Sequence, residues 1–183
     1  AFGSTILNSQ TYQSRYGNTT SPAGTYRALL VFAQIDYTGC TPDPYEVNAE
    51  WPTNEPPVFK DNLLDLEAST SPVNYITKYF YEMSGGRLNV IGDYYTDLIT
   101  VSCSSLGTWN GTSKVIEQLN SNPSPIETAE GYELSDFDNW TRTAAGTSKV
   151  NTSDTKIDML IIIWRNNRYI DGNLVCAAGY AIQ

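Results

Sequence analysis

The chain has 183 residues, no histidine, and a net charge of −9 from 11 basic and 20 acidic residues. This charge argues against nucleic-acid binding and against docking on anionic membranes, because both need clustered Lys and Arg. Without imidazole, the usual zinc hydrolase site and the usual activated Ser or Cys nucleophile cannot be built from this chain alone. The apolar content of 40 % suits one folded domain, and no apolar run is long enough to predict a membrane span.

The polar residues 1–25, rich in Ser, Thr, Gly and Tyr, predict an extended N-terminal arm, and residues 26–183 predict a single domain. The apolar run 27–35 predicts a strand that is buried on both faces. It ends at Asp36, where ligand sites occur in sheets of this kind, although a turn-capping acid is the preferred interpretation.

A helix is predicted next, with Ser71 as its cap, Pro72 at its first position and Gly85-Gly86 at its end. The spacing of its apolar residues predicts one face buried against the sheet. These residues are Val73, Ile76, Tyr79, Phe80 and Met83.

Two alternating segments, 87–92 and 94–101, predict half-buried strands that pair with each other around Gly92-Asp93. Thr112 is expected to cap a second helix. The inward residues of that helix are Val115, Ile116 and Leu119.

Residues 122–155 predict turns and loops with a short helix near 126–129. The aliphatic segment 157–164 predicts a second central strand, and 173–182 predicts a further strand. Two doubly apolar strands joined through an amphipathic helix indicate an α/β (α+β) fold, with a mixed sheet and packed helices.

The three cysteines, Cys40, Cys103 and Cys176, lack the short spacing of a structural zinc site. They predict one disulfide with one free thiol, or three buried thiols, or an odd cysteine whose partner lies outside this sequence.

Asp136 and Asp138, with Glu133 nearby, form the densest acidic cluster. A calcium loop needs a glycine at its sixth position and a glutamate at its twelfth, and this segment has neither. A solvated acidic loop is therefore preferred over a calcium site.

Three stretches, in order, resemble the first half of the catalytic domain of the immune inhibitor A family of secreted zinc metallopeptidases. Residues 27–36 resemble the opening strand of that family, and 71–92 resemble its aromatic helix ending at Ser-x-Gly and the strand that follows. The acidic turn 133–140, together with the strand 157–164, resembles a third segment. The His-Glu-x-x-His helix of the family, which holds zinc, is not present in this chain.

The resemblance implies an incomplete, zincin-like upper subdomain that belongs to a secreted, extracellular protease. In the complete enzyme, the zinc ligands would come from a C-terminal continuation or a second chain, so this chain alone is expected to be inactive. The last strand is expected to pair with a peptide or protein substrate. The apolar residues of this region, including Leu174, are also expected to be covered by another segment. The residues expected at that substrate edge are Val175, Ala177, Ala178 and Gly179. The alternative function is a non-catalytic extracellular module that binds proteins or glycans.

Overall fold

The computed structural model describes residues 23–40, 50–106, 111–121, 128–142, 148–150, 153, 157–165 and 181–182. Among these, the helices are α1 (Tyr75–Met83) and α2 (Gly111–Ser121), and short 3-10 helices span Lys60–Asn62, Cys103–Ser105 and Leu134–Phe137. The strands are β1 (Gly24–Asp36), β2 (Leu88–Tyr94), β3 (Ile99–Ser102), β4 (Trp140–Arg142), β5 (Ser148–Val150), β6 (Met159–Trp164) and β7 (Ala181–Ile182). The predicted arm therefore lies largely outside the described residues, and β1 begins just before its expected end.

β1 is the central strand of a five-stranded mixed sheet with the order β2-β1-β6-β7, in which β3 also pairs with β1. β2 runs parallel to the first half of β1, and β3 runs parallel to its last four residues. β6 runs parallel along the other side of β1, and β7 is antiparallel to β6. The prediction of an α/β mixed sheet with two central apolar strands is thus confirmed.

The two faces of β1 enter different cores, because successive side chains of a strand point to opposite sides of the sheet. Leu29 and Val31 pack with the buried face of α2 and with Phe137. Leu30 and Phe32 pack on the opposite side, against the α1 face and Trp51. Burial on both faces explains why this segment is a continuous apolar run, and it makes the domain an α/β/α sandwich.

The start and the rotation of α1 differ from the prediction. The helix begins at Tyr75 with Asn74 as its cap, and the carboxylate of Asp65 accepts the N–H groups of Val73 and Asn74 at 3.1 and 3.0 Å. Ser71 and Pro72 precede the helix and do not cap it. The predicted stop is confirmed, since Gly85 and Gly86 both have positive φ and Gly86 N–H bonds to the Tyr81 carbonyl.

The predicted single apolar face of α1 is wrong in part. Ile76 and Phe80 pack against the core. In contrast, the side chains of Tyr79 and Met83 are 58 % and 70 % exposed, and Val73 is also mostly exposed. The helix turns Thr77 inward instead, where its hydroxyl donates to the Val90 carbonyl at 2.6 Å. This hydrogen bond sets the rotation of the helix, and the apolar spacing could not reveal it.

The two segments after α1 do form strands, but they do not pair with each other as predicted. Both pair in parallel with β1, and β2 continues through Gly92-Asp93 instead of turning there. Gly92 lies so close to β1 that a Cβ atom on it would stand 2.0 Å from the Ala28 carbonyl oxygen. The glycine that suggested a hairpin turn is needed for this close approach of two strands.

The second predicted helix is confirmed as α2, with Val115, Ile116 and Leu119 buried, but the helix already includes Gly111, so Thr112 lies within it and is not its cap. The predicted loop region contains the 3-10 helix Leu134–Phe137 and a two-stranded antiparallel ribbon of β4 and β5. Trp140 of β4 stacks on Tyr26 with ring centroids 4.4 Å apart, which fixes the ribbon to the start of β1. Among the described residues, no helix is long and apolar enough to cross a membrane.

Candidate functional site

The last described strand forms one edge of the sheet. In β7, Ala181 and Ile182 pair with Ile161 and Leu160, and within the described residues no further strand pairs with the outer side of β7. The residues predicted for the substrate edge, Val175, Ala177, Ala178 and Gly179, lie outside the described residues, as does Leu174. The prediction of an edge strand near the end of the chain therefore has structural support only at residues 181–182.

The opposite edge of the sheet is already occupied. Three backbone groups of β2 that do not face β1 have partners from the preceding segment. The hydroxyl of Ser84 accepts the Leu88 N–H at 2.8 Å, Thr77 donates to the Val90 carbonyl, and the Asp65 carbonyl accepts the Gly92 N–H at 2.9 Å. An extended peptide cannot form a regular ladder with backbone groups that are already bonded, so β2 is not available for strand addition.

A shallow pocket of about 150 Å³ lies at the carboxyl end of β2. Its walls combine aliphatic residues with a polar group that includes Lys60, Asp61, Asp93, Tyr94 and Glu130. Ligands of open α/β sheets often bind at the carboxyl ends of strands, so the position of this pocket is suited to a small ligand. Asp93, a charged residue inside β2, is the sequence feature that could have indicated this pocket.

The hydrogen bonds in the pocket give the buried carboxylate of Asp93 a structural role. Asp93 accepts the N–H of Tyr94 at 2.8 Å and the N–H of Glu130 at 2.7 Å, so each oxygen has a backbone donor. Burial, reinforced by the charge of Asp61 and its hydrogen bond with the tyrosine hydroxyl, raises the pKa of Tyr94 to about 12. Tyr94 is therefore neutral at physiological pH and acts here as a hydrogen-bond donor.

The acidic cluster near residue 136 also has a structural role. Glu133 and Asp136 form a reciprocal capping box at the start of the 3-10 helix Leu134–Phe137. Asp138 is buried and accepts a hydrogen bond from the Ser153 hydroxyl. Within the described residues, no group of three or more His, Cys, Asp or Glu side chains could hold a metal ion. The preferred description of a solvated loop is only partly right, because Asp138 is buried.

Asp36 is exposed and caps the turn after β1, as the preferred interpretation predicted. One oxygen of its carboxylate accepts both the hydroxyl of Thr38 at 2.7 Å and the N–H of Thr38 at 2.9 Å. These two bonds, with the hydroxyl the stronger influence, lower the pKa of Asp36 below its usual value. The carboxylate is thereby held in a local turn.

The carboxyl ends of β1 and β3 are joined by a disulfide between Cys40 and Cys103. Of the alternatives left open by the sequence, this bond excludes three unpaired thiols, and Cys176 lies outside the described residues. Buried Gln34 strengthens the same end of the sheet, because its amide bonds to Asn54 of the neighbouring loop and to Thr100 of β3. These bonds leave the carboxyl end of β1 rigidly cross-linked.

Comparisons of the chain with protein-family models, with curated proteins and with solved structures find no match.

Proposed function

We propose that this chain is the N-terminal scaffold portion of a secreted zinc-dependent endopeptidase whose zinc ligands lie outside these 183 residues. The observation that carries the proposal is the antiparallel edge strand β7 on an otherwise parallel sheet. The resemblance to the immune inhibitor A family implies a strand of this kind, along which the substrate extends. The occupied outer side of β2 adds support, because among the described residues it leaves β7 and the four-residue strand β3 as the open edges of the sheet.

The role assigned to this chain is binding and orientation. An extended peptide next to β7 would gain affinity from main-chain hydrogen bonds and hold its scissile bond at a fixed position. The side chains described here do not fit a zinc site, since they form no group of metal ligands and the whole sequence has no histidine. When bound by the remainder of the enzyme, zinc would activate the attacking water.

The disulfide supports the secreted location in the proposal. Disulfides such as Cys40–Cys103 form and persist in oxidising compartments and are rare in reducing ones. The low content of basic residues agrees with a substrate that is recognised through its backbone and not through phosphate groups.

The decisive experiment compares this chain with a version extended along its own reading frame. We expect the extended protein to contain a His-Glu-x-x-His motif, to bind one zinc per chain and to cleave a quenched-fluorescence peptide. A variant with the motif glutamate changed to glutamine should keep zinc and lose cleavage. An extended protein that binds no zinc and cleaves nothing would overturn the proposal and favour the extracellular binding module.

Two variants of the extended enzyme, Ala181→Pro and Ile182→Pro, test β7 as the peptide-binding edge. Neighbouring residues of a strand direct their N–H groups to opposite sides, so the two substitutions remove different hydrogen-bond donors. One variant should lower stability by breaking the pairing with β6. The other should keep the fold and raise KM for peptides, and equal KM values in all three proteins would contradict peptide pairing on β7.

A further inference from the structure

The pocket at the carboxyl end of β2 has an aliphatic wall made of three leucines. Leu30 and Leu64 are 1 % and 7 % exposed, so they lie at its inner end, and Leu66 is 38 % exposed and lies nearer to the opening. The volume of about 150 Å³ is similar to that of an engineered apolar cavity that holds benzene, a molecule of six non-hydrogen atoms. The pocket therefore has room for a small ligand with an aliphatic part.

The charges around the pocket favour a cation. Its lining includes the three carboxylates of Asp61, Asp93 and Glu130, and among the lining residues that the structure describes the cation is Lys60. The ammonium group of Lys60 lies 3.5 Å from the Asp61 carboxylate, so its charge is already matched. All three carboxylates act electrostatically on the hydroxyl of Tyr94, which means that they lie close to one point. The potential in the pocket is therefore negative.

The hydrogen-bonding groups of the pocket also favour a ligand that donates. The amide of Asn74 donates to the Leu64 carbonyl at 2.8 Å, and the hydroxyl of Tyr94 donates to Asp61. The Tyr94 oxygen keeps its capacity to accept a hydrogen bond. Within the part of the chain that the structure describes, the Glu130 carboxylate forms no ion pair and accepts no hydrogen bond. An ammonium group, which has three donors and no acceptor, matches these free acceptors.

From the volume, the aliphatic wall and the excess of acceptors, we propose that this pocket binds a primary ammonium group carried on a short, unbranched aliphatic chain. The ammonium group lies beside Glu130 and the Tyr94 oxygen, and the chain lies against Leu64 and Leu66. The pocket is at β2, and β7 is the opposite edge of the sheet. The proposal is therefore independent of peptide binding at β7 and of the endopeptidase.

The first test is a titration of the purified chain with n-butylammonium chloride, followed by NMR chemical shifts. We expect saturable binding with shifts centred on Leu64, Leu66 and Glu130. Butan-1-ol and butanoate should each bind at least about tenfold more weakly, because neither forms charge-assisted hydrogen bonds with the carboxylates. Methylammonium should also bind more weakly, since it buries no chain against the leucines. Butan-1-ol that binds as well as n-butylammonium, or no saturable binding in the millimolar range, would overturn the proposal.

A second titration identifies the source of the ammonium group. Nα-acetyl-lysine N-methylamide carries the same group on a chain of four methylenes that continues into a peptide backbone. Tighter binding of this compound than of n-butylammonium supports the site and assigns it to lysine side chains of peptides. Weaker binding supports the site and assigns it to free aliphatic amines, because the backbone amides then collide with the rim.

The last test separates the pocket from the net negative charge of the chain. Glu130→Gln keeps the shape of an exposed side chain and should raise the dissociation constant of n-butylammonium at least about tenfold. Glu117→Gln is the matched control, because it removes the same charge from exposed α2, which packs on the other face of the sheet. Its effect should stay below about twofold in buffered salt, where distant charges are screened. Both variants should unfold at temperatures near that of the wild type, and equal loss of binding in the two would contradict a site at this pocket.

Discussion

Thr77 of α1 and Val90 of β2 are joined by a buried hydrogen bond of 2.6 Å, in which the threonine hydroxyl donates to the carbonyl. The same hydroxyl accepts the N–H of Asp65 at 2.9 Å. One side chain therefore satisfies two backbone groups that would otherwise be buried without partners. It holds the loop before α1, the helix itself and the outer side of β2 together.

Thr77→Val is expected to lower the free energy of unfolding by about 3 kcal/mol, because two buried backbone groups lose their partner while the shape is kept. Thr77→Ser keeps the hydroxyl and removes one buried methyl group, so it should cost only about 1 kcal/mol. Urea denaturation of the three proteins measures both values. If valine proves no worse than serine, the hydroxyl does not have the role assigned to it.

The rotation of α1 shows where sequence patterns stop being informative. The spacing of Val73, Ile76 and Met83 predicts a helix, and a helix is present. Thr77 is polar, and its position in the pattern predicts a surface residue. It is nevertheless fully buried, because its hydroxyl is the hydrogen-bonding partner of the outer side of β2. The carbonyl group that needs this partner belongs to Val90, 13 residues further along the chain, so the local apolar pattern of the helix cannot indicate it.

Gly92→Ala is expected to disrupt the pairing of β2 with β1. The new Cβ would meet the Ala28 carbonyl oxygen at 2.0 Å, and the backbone of the central strand cannot move aside without breaking its ladder. We expect a loss of at least about 3 kcal/mol in the free energy of unfolding.

Gly39→Ala is the matched control for this clash. Gly39 also has a positive φ of 86°, but nothing lies within 4 Å of an added Cβ. It should cost about 1 kcal/mol, which is the strain of a left-handed residue alone. Thermal unfolding of both variants separates the two effects, and similar losses would mean that strain, not close contact, accounts for Gly92.

The partners of the strands were harder to predict than the strands. Apolar runs identified β1 and β6, because a strand buried on both faces has no polar alternation. The turn-like Gly92-Asp93 pair suggested a local hairpin, whereas β2 and β3 both pair with β1, far earlier in the chain. The candidate site was predicted even less completely. Position 181–182 lies within the predicted last strand, but the edge at β2 is closed by hydrogen bonds that no motif describes.

The hydroxyl of Tyr94 should ionise at a higher pH than that of an unperturbed tyrosine. Its pKa is raised to about 12 by burial and by the nearby carboxylate of Asp61, compared with about 10 for an unperturbed tyrosine. Because the folded state holds this proton more tightly than the unfolded state, its contribution to stability is complete below pH 10 and is lost as the pH rises towards 12.

A spectrophotometric titration of tyrosinate absorbance checks this for the wild type and for Tyr94→Phe. The difference between the two curves should show a single group that ionises near pH 12. The phenylalanine variant should also show a smaller loss of thermal stability between pH 10 and 12. A difference curve centred at pH 10 would mean that the hydroxyl is neither buried nor held by Asp61.

The disulfide Cys40–Cys103 should contribute strongly to stability, because it closes a long segment of the unfolded chain. The two cysteines are 63 residues apart, and loop-closure entropy for that length corresponds to about 4 kcal/mol at 25 °C. Cys40→Ser with Cys103→Ser should therefore lower the free energy of unfolding by about 2–4 kcal/mol, and reduction of the wild type should have the same effect. Cys176→Ser is the control for thiol counting, because it keeps both cysteines of the disulfide and should show no titratable thiol in the denatured, unreduced chain. One thiol per wild-type chain under those conditions, assigned to Cys176 by mass spectrometry, is the expected count, and three thiols would contradict the pairing.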